Sequence, residues 1–161
     1  MKAKILMMDV DGTLTDGKIY MGQTGEMMKA FSDKDGYGLM TALKSGLIPA
    51  IITGRTSDIV VNRFAKELKV QEIYQGVNDK TGVAEALAAK YSLTLADCAY
   101  IGNDLNDLEV MLAVKEAGGL CGCPADSVDR IKEISDHISP NVGGSGAVRT
   151  FIDWLLEDPA Q

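Results

Sequence analysis

Several common protein classes are excluded by what this sequence lacks. It has three cysteines in 161 residues, Cys98, Cys121 and Cys123, too few for a disulfide framework. Cys121-Gly122-Cys123 has neither the second pair nor the histidines that a structural zinc site uses. This cysteine usage fits a reducing cytoplasm. No signal peptide is visible, and no apolar run approaches the roughly 20 residues of a membrane span. Basic residues are outnumbered, 16 Lys and Arg against 23 Asp and Glu, a net charge of −7. That balance argues against a nucleic-acid surface, because phosphate backbones are bound by basic patches. No Gly-x-x-x-x-Gly-Lys-Ser/Thr loop is present, so a P-loop kinase is disfavoured. The single histidine, His137, has no positioned partner and reads as structural. There is no internal repeat, no low-complexity linker and no insertion long enough for a second domain.

What is present is a repeating order of apolar strand and helix. Lys4 to Val10 reads as a buried first strand. Residues 17–21 and 26–31 flank Gly22-Gln23-Thr24-Gly25 as a β-hairpin. Asp35 is placed to cap a helix ending near Ser45, with Gly46 as its stop. Further strands are expected at 47–53, 70–74, 98–101 and 119–121. Helices are expected at 58–68, 80–91, from 105 to about 114, and at 127–135 and 146–156. The strands are apolar on both faces, as in a parallel sheet covered by helices. The fold class is therefore α/β.

Chemistry gathers at the strand ends. The first strand stops in Asp9-Val10-Asp11, two acids that repel each other and invite a divalent cation. The second ends in Thr53. Lys80 follows the loop after the third, and Asn103, Asp104 and Asp107 follow the fourth. In an open parallel sheet these ends meet in one crevice. Carboxylates for a metal, with a hydroxyl and an ammonium for phosphate oxygens, suit phosphoryl transfer.

Asp9-Val10-Asp11-Gly12-Thr13, Thr53, Lys80 and Gly102-Asn103-Asp104-Leu105-Asn106-Asp107 resemble the four motifs of the haloacid dehalogenase superfamily. Thr15-Asp16-Gly17, Lys34-Asp35-Gly36-Tyr37-Gly38, Ile51-Ile52-Thr53-Gly54-Arg55, Gln75-Gly76 and Gly143-Gly144-Ser145-Gly146-Ala147-Val148-Arg149 resemble its small capless branch. That branch contains phosphatases of 3-deoxy-D-manno-octulosonate 8-phosphate and of nine-carbon sialic-type acids, and domains fused to cytidylyltransferases. The resemblance implies a Rossmann-like three-layer sandwich with a mainly parallel central sheet. It implies a single domain over residues 1–161 with no separate cap, a hairpin flap at about 17–31, and a tail and helix at about 141–161.

The resemblance also implies roles. Asp9 is the expected nucleophile. Asp11 is the expected acid and base. Thr53, Gly54 and Lys80 are expected to hold the phosphoryl oxygens. Mg2+ is expected among Asp9, Asp11, Asn103 and Asp104. The commoner pattern has aspartate at position 103, so Asn103 removes one negative charge from that set. Arg55 is expected to grip the carboxylate of a 2-keto sugar acid. Arg63, Lys66 and Arg149 are further anion-binding candidates, from the same or a neighbouring subunit. The Gly143–Gly146 run is expected to be a mobile stretch that lets the tail reach an adjacent site in a homotetramer. The expected function is Mg-dependent hydrolysis of 3-deoxy-D-manno-octulosonate 8-phosphate, with no nucleic acid or membrane partner. The alternatives are a nine-carbon acid 9-phosphate as substrate, or a weakly catalytic oligomerisation partner of a cytidylyltransferase.

Overall fold

The computed structural model describes residues 1–157; the last four residues of the expected tail lie outside them. Six strands form one sheet in the order β5-β4-β1-β6-β7-β8. They are β1 (Ile5–Met8), β4 (Ile48–Ile52), β5 (Glu72–Tyr74), β6 (Cys98–Ile101), β7 (Leu120–Cys123) and β8 (His137–Ile138). Every pairing in this sheet is parallel. Two strands between β1 and the first helix, β2 (Tyr20–Gly22) and β3 (Gly25–Met28), form a separate antiparallel hairpin.

Alternation along β1 shows why the sheet is covered on both sides. Leu6 and Met8 face one apolar layer, together with Ile51, Ala99 and Ile101. Helices α1 (Asp33–Lys44) and α6 (Ala147–Leu156) close that layer through Leu39, Ala42, Val148, Phe151, Ile152 and Leu155. Ile5 and Met7 face the other layer with Ala50, Ile52 and Tyr100. There α3 (Lys80–Lys90), α4 (Leu108–Glu116) and α5 (Asp129–Ile134) supply Ala84, Leu87, Val110, Met111, Val114 and Ile131. Each of the four β1 side chains is fully buried. A strand buried on both faces must read as a continuous apolar run, as this one does. All three cysteines are buried and unpaired. His137 stacks on Trp154 with ring centroids 5.3 Å apart, and burial lowers its pKa. No helix among the described residues is long and apolar enough to cross a membrane.

Three local expectations are corrected. The segment after β4 begins as α2 (Asp58–Val60), capped by Ser57, but continues as a π-helical stretch, Val61–Glu67. Leu68 closes it with a backbone bond to Arg63, five residues back. Asp35 does not cap its own helix, which starts two residues earlier after Ser32. Its carboxylate instead accepts the backbone N–H of Arg149 at 2.8 Å, capping α6 from across the molecule. The unpaired N–H groups at the buried start of α6 are the better partner because Gly146, the residue before it, has no side chain to cap them.

The glycines at 143–146 are also not a loose tether. A Cβ on Gly143 would lie 2.0 Å from the Gly12 carbonyl oxygen, and one on Gly144 2.6 Å from the Asp16 nitrogen. The Gly144 N–H donates to the Thr13 carbonyl at 3.2 Å, and the Gly143 N–H donates to Asp126 at 2.9 Å. These residues are glycine because two backbones touch there.

Candidate active site

The carboxyl ends of β1, β4 and β6 open on one side of the sheet. The chain runs from β1 outward to β4 and β5, then returns to the other side of β1 as β6. This is the switch point where open α/β sheets leave a crevice. The turn after β1 is tightly wound: the N–H groups of Thr13, Leu14 and Thr15 all reach the Val10 carbonyl. Gly12 sits at φ +89°, and a Cβ there would fall 2.1 Å from the Asn103 side-chain nitrogen. The turn therefore brings Asp9 and Asp11 up against the loop after β6 only with glycine at position 12.

Asp9 is 2% exposed, and its N–H donates to the Ile101 carbonyl, which fastens the end of β1 to β6. Its carboxylate lies 3.1 Å from the Lys80 ammonium at the start of α3. Lys80 also donates to Asp107 at 2.8 Å, and the Tyr100 hydroxyl donates to the same oxygen at 2.9 Å. Burial, and then the charge of Asp107, push the Asp9 carboxyl up to about 6, with Lys80 partly opposing them. Burial works against the Lys80 charge, but Asp107 and Asp9 outweigh it and raise its pKa. The other Asp107 oxygen accepts the backbone N–H groups of Asn103 and Asp104, at 3.0 and 3.4 Å. Asp107, fully buried, thus ties Lys80 to the 103–107 loop. Tyr100 is held as a hydroxyl, because burial and Asp107 raise its pKa well above the ordinary value.

The remaining sequence-selected residues divide into two groups. Thr53 is buried at the end of β4, its backbone bonded to Tyr74 and Val77. Asn103 accepts a hydrogen bond from the Thr13 hydroxyl at 3.1 Å, and Asp104 accepts the Leu105 N–H at 2.7 Å. Beside them lies a cleft of about 580 Å³. It is lined by Asp11, Asp16, Asp104, Asp126, Asn103 and Asn106, with Gly12 and Gly17. Gly54 and Arg55 are exposed in the loop after β4.

The other three cations have local partners within this chain. Arg63 pairs with Glu67 at 2.6 Å, and Lys66 donates to Asn62 at 2.8 Å. Arg149 binds Asp153 at 2.8 Å and lies over the Tyr37 ring. None of these contacts joins the Asp9 cluster.

The sequence reading named Asp107 without giving it Lys80 as a partner, and it missed one residue of the site altogether. Lys29, at the foot of the hairpin, lies 2.6 Å from the Asp11 carboxylate. A lone lysine after a hairpin carries no sequence signal for such a contact.

Comparison with known proteins agrees with this geometry. Residues 51–152 match the haloacid dehalogenase-like hydrolase family. The chain is 41% identical over 153 residues to the 3-deoxy-D-manno-octulosonate 8-phosphate phosphatase KdsC of Escherichia coli K12, covering 95% of this chain and 79% of that protein. A crystal structure of that phosphatase from Moraxella catarrhalis, in complex with magnesium, phosphate and KDO, superposes with a TM-score of 0.88 at 42% identity. It covers 96% of this chain and 86% of the other. The cobalt-bound form of the Haemophilus influenzae phosphatase gives 0.89 at 32% identity, covering 96% and 88%. With the strand-end acids, the parallel sheet and these matches in hand, the chain belongs to the haloacid dehalogenase-like hydrolases.

Proposed function

We propose that this protein is a magnesium-dependent phosphatase that hydrolyses 3-deoxy-D-manno-octulosonate 8-phosphate to the free sugar acid and inorganic phosphate. The observation that carries the reading is the buried Asp9–Lys80–Asp107 set beside the acidic cleft, in a chain about 40% identical to phosphatases of that name. The donor set fits magnesium. The cleft offers carboxylate and amide oxygens, with no basic side chain among the lining residues. Among the described residues no three acidic, histidine or cysteine side chains form a ready cage. Magnesium takes oxygen donors of this kind and keeps several of its waters. Asp9, the Asp11 carbonyl and Asn103 would hold it, with Asp104 near by. When bound, it supplies positive charge that lessens repulsion between an anionic nucleophile and an anionic ester.

The chain's own groups carry the steps. An Asp9 carboxylate oxygen forms a bond to phosphorus while the bond from phosphorus to the sugar oxygen breaks. Asp11 gives its proton to that departing oxygen. Asp11, now a carboxylate, takes a proton from water as the water oxygen attacks phosphorus. The bond from Asp9 to phosphorus then breaks, releasing phosphate and restoring Asp9. Lys80 and Thr53 hold the transferring oxygens, with the Gly54 backbone beside them. Asp107 and Tyr100 keep Lys80 aimed. Arg55 takes the carboxylate of the sugar acid.

The whole chain, 1–161, works as one domain, with the hairpin as its flap. We infer a cytoplasmic homotetramer. Supporting this, Met21, Met27 and Met28 on the flap are 59%, 68% and 50% exposed, an apolar surface that suits burial between subunits. In such an assembly Arg63, Lys66 and Arg149 serve a neighbour's site rather than their own.

Asn103 favours a second reading. A neutral amide where a carboxylate is usual weakens the metal site, which suits a weakly catalytic partner of a cytidylyltransferase; the same chemistry on a nine-carbon acid 9-phosphate is the alternative substrate. Initial rates of phosphate release across eight- and nine-carbon sugar-acid phosphates, with and without magnesium, test all three. The leading reading expects metal-dependent turnover with preference for the eight-carbon acid. Preference for the nine-carbon acid selects the second substrate. No release from any of them defeats the enzymatic reading.

A further inference from the structure

The hairpin flap keeps much of its apolar surface outside the core, yet a polar side chain at its foot is almost wholly buried. The Lys29 side chain is 2% exposed. Its ammonium lies 2.6 Å from one Asp11 oxygen and 2.9 Å from Glu26. The other Glu26 oxygen accepts the Ser57 hydroxyl at 2.7 Å, and the Ser57 N–H donates to the Gln75 side chain at 2.8 Å. These bonds form one continuous line from the turn after β1, through the flap, to the loops after β4 and β5. Burial opposes the Lys29 charge, but its bonds to Asp11 and Glu26 outweigh that and raise its pKa. A dry ammonium is tolerated only where carboxylates surround it, and removing one side of such a pair is costly.

We infer that Lys29 is a positioning residue: it holds the Asp11 side chain in place through one oxygen, leaving the second to carry the proton, and, through Glu26 and Ser57, moors the flap to the loop that carries Thr53. The first half of this rests on the phosphatase reading of Asp11; the mooring does not. Lys29, Glu26 and Ser57 all lie outside the four strand-end motifs. The lysine reaches the site from the hairpin, whose two strands form a sheet of their own.

The test compares Lys29→Met with the parent on two magnesium-loaded reactions. One substrate is the sugar-acid alkyl phosphate, whose leaving oxygen needs the Asp11 proton. The other is an aryl phosphate, whose phenolate departs without one. Because kcat/KM reports steps up to the first bond cleavage, misplacing Asp11 should lower it by about 100-fold on the alkyl ester. The loss on the aryl ester should be smaller by about tenfold or more. Amide hydrogen exchange without substrate should quicken across residues 18–28 in the variant. Glu26→Ala should quicken that exchange too, while leaving the ratio between the two esters near the parent's. Lys29→Arg should recover part of the alkyl-ester loss. Equal losses on both esters would overturn the positioning of Asp11. Unchanged exchange in both variants would overturn the mooring. A parent that cleaves neither ester would defeat the phosphatase reading itself, and exchange would still decide whether Lys29 holds the flap.

Discussion

Replacing Asp9 by asparagine should make the metal-free protein more stable at neutral pH while abolishing turnover. Asparagine keeps the shape of the side chain and an oxygen that can accept from Lys80, and Lys80 retains Asp107 at 2.8 Å. What disappears is a carboxylate that the fold ionises reluctantly. Its pKa stands at about 6 in the folded chain against an ordinary 3.8, chiefly because it is buried and next because Asp107 is close. Each pH unit between those values is worth about 1.4 kcal/mol, so the ionised Asp9 costs the fold about 3 kcal/mol. The folded chain holds this proton where the unfolded chain has lost it. The cost is therefore absent below about pH 4, grows as pH rises toward 6, and is complete above that. Urea denaturation in excess chelator should show the variant ahead by about 2–3 kcal/mol at pH 7.5, or roughly 6–10 °C in Tm. The lead should shrink at pH 5 and vanish near pH 4. Magnesium should close the gap at neutral pH by stabilising the parent alone. A variant less stable than the parent at pH 7.5, or a lead that does not depend on pH, would refute the electrostatic reasoning.

Other outcomes follow from the same geometry. Lys80→Met leaves Asp9 and Asp107 buried without their shared cation, and should lower stability at neutral pH by about 3–5 kcal/mol in urea titrations, with partial recovery in acid. Gly143→Ala places a Cβ 2.0 Å from the Gly12 carbonyl; a loss of about 1–3 kcal/mol in urea titrations and a fall in kcat in initial-rate assays are expected. Asp35→Ala uncaps α6 and should cost about 1–2 kcal/mol by thermal denaturation, whereas Ser32→Ala, which removes no side-chain cap bond, should cost little.

Much of the architecture was legible because burial on both faces leaves a strong imprint. Ile5–Met8, Ile48–Ile52 and Cys98–Ile101 are uninterrupted apolar runs, and the first polar residue beyond each, one position later after Cys98–Ile101, marks where the strand leaves the core. Asp9, Thr53 and Asn103 could be found in this way, and Lys80 by the loop that precedes α3. What stayed hidden depends on distant partners. Asp35 looks like a local cap because capping signals are local, but its hydrogen-bond partner is 114 residues away. Glycine marks either a freely turning backbone or a close approach, and only the fold shows that Gly143 and Gly144 are the second kind. Asp107 and Lys29 are ordinary charged residues in sequence. They become part of the site only when α3 and the hairpin set their partners beside them. The π-helical turn at Val61–Glu67 has no sequence signature at all.

The contact of Gly143 and Gly144 with the turn after β1 also orders events in time. During synthesis the turn after β1 emerges before its partner, which lies about 130 residues downstream. Until that downstream segment docks, the turn that carries Asp9 and Asp11 lacks one of its walls. The crevice at the sheet's edge is therefore completed only after the chain has brought together two segments far apart in sequence.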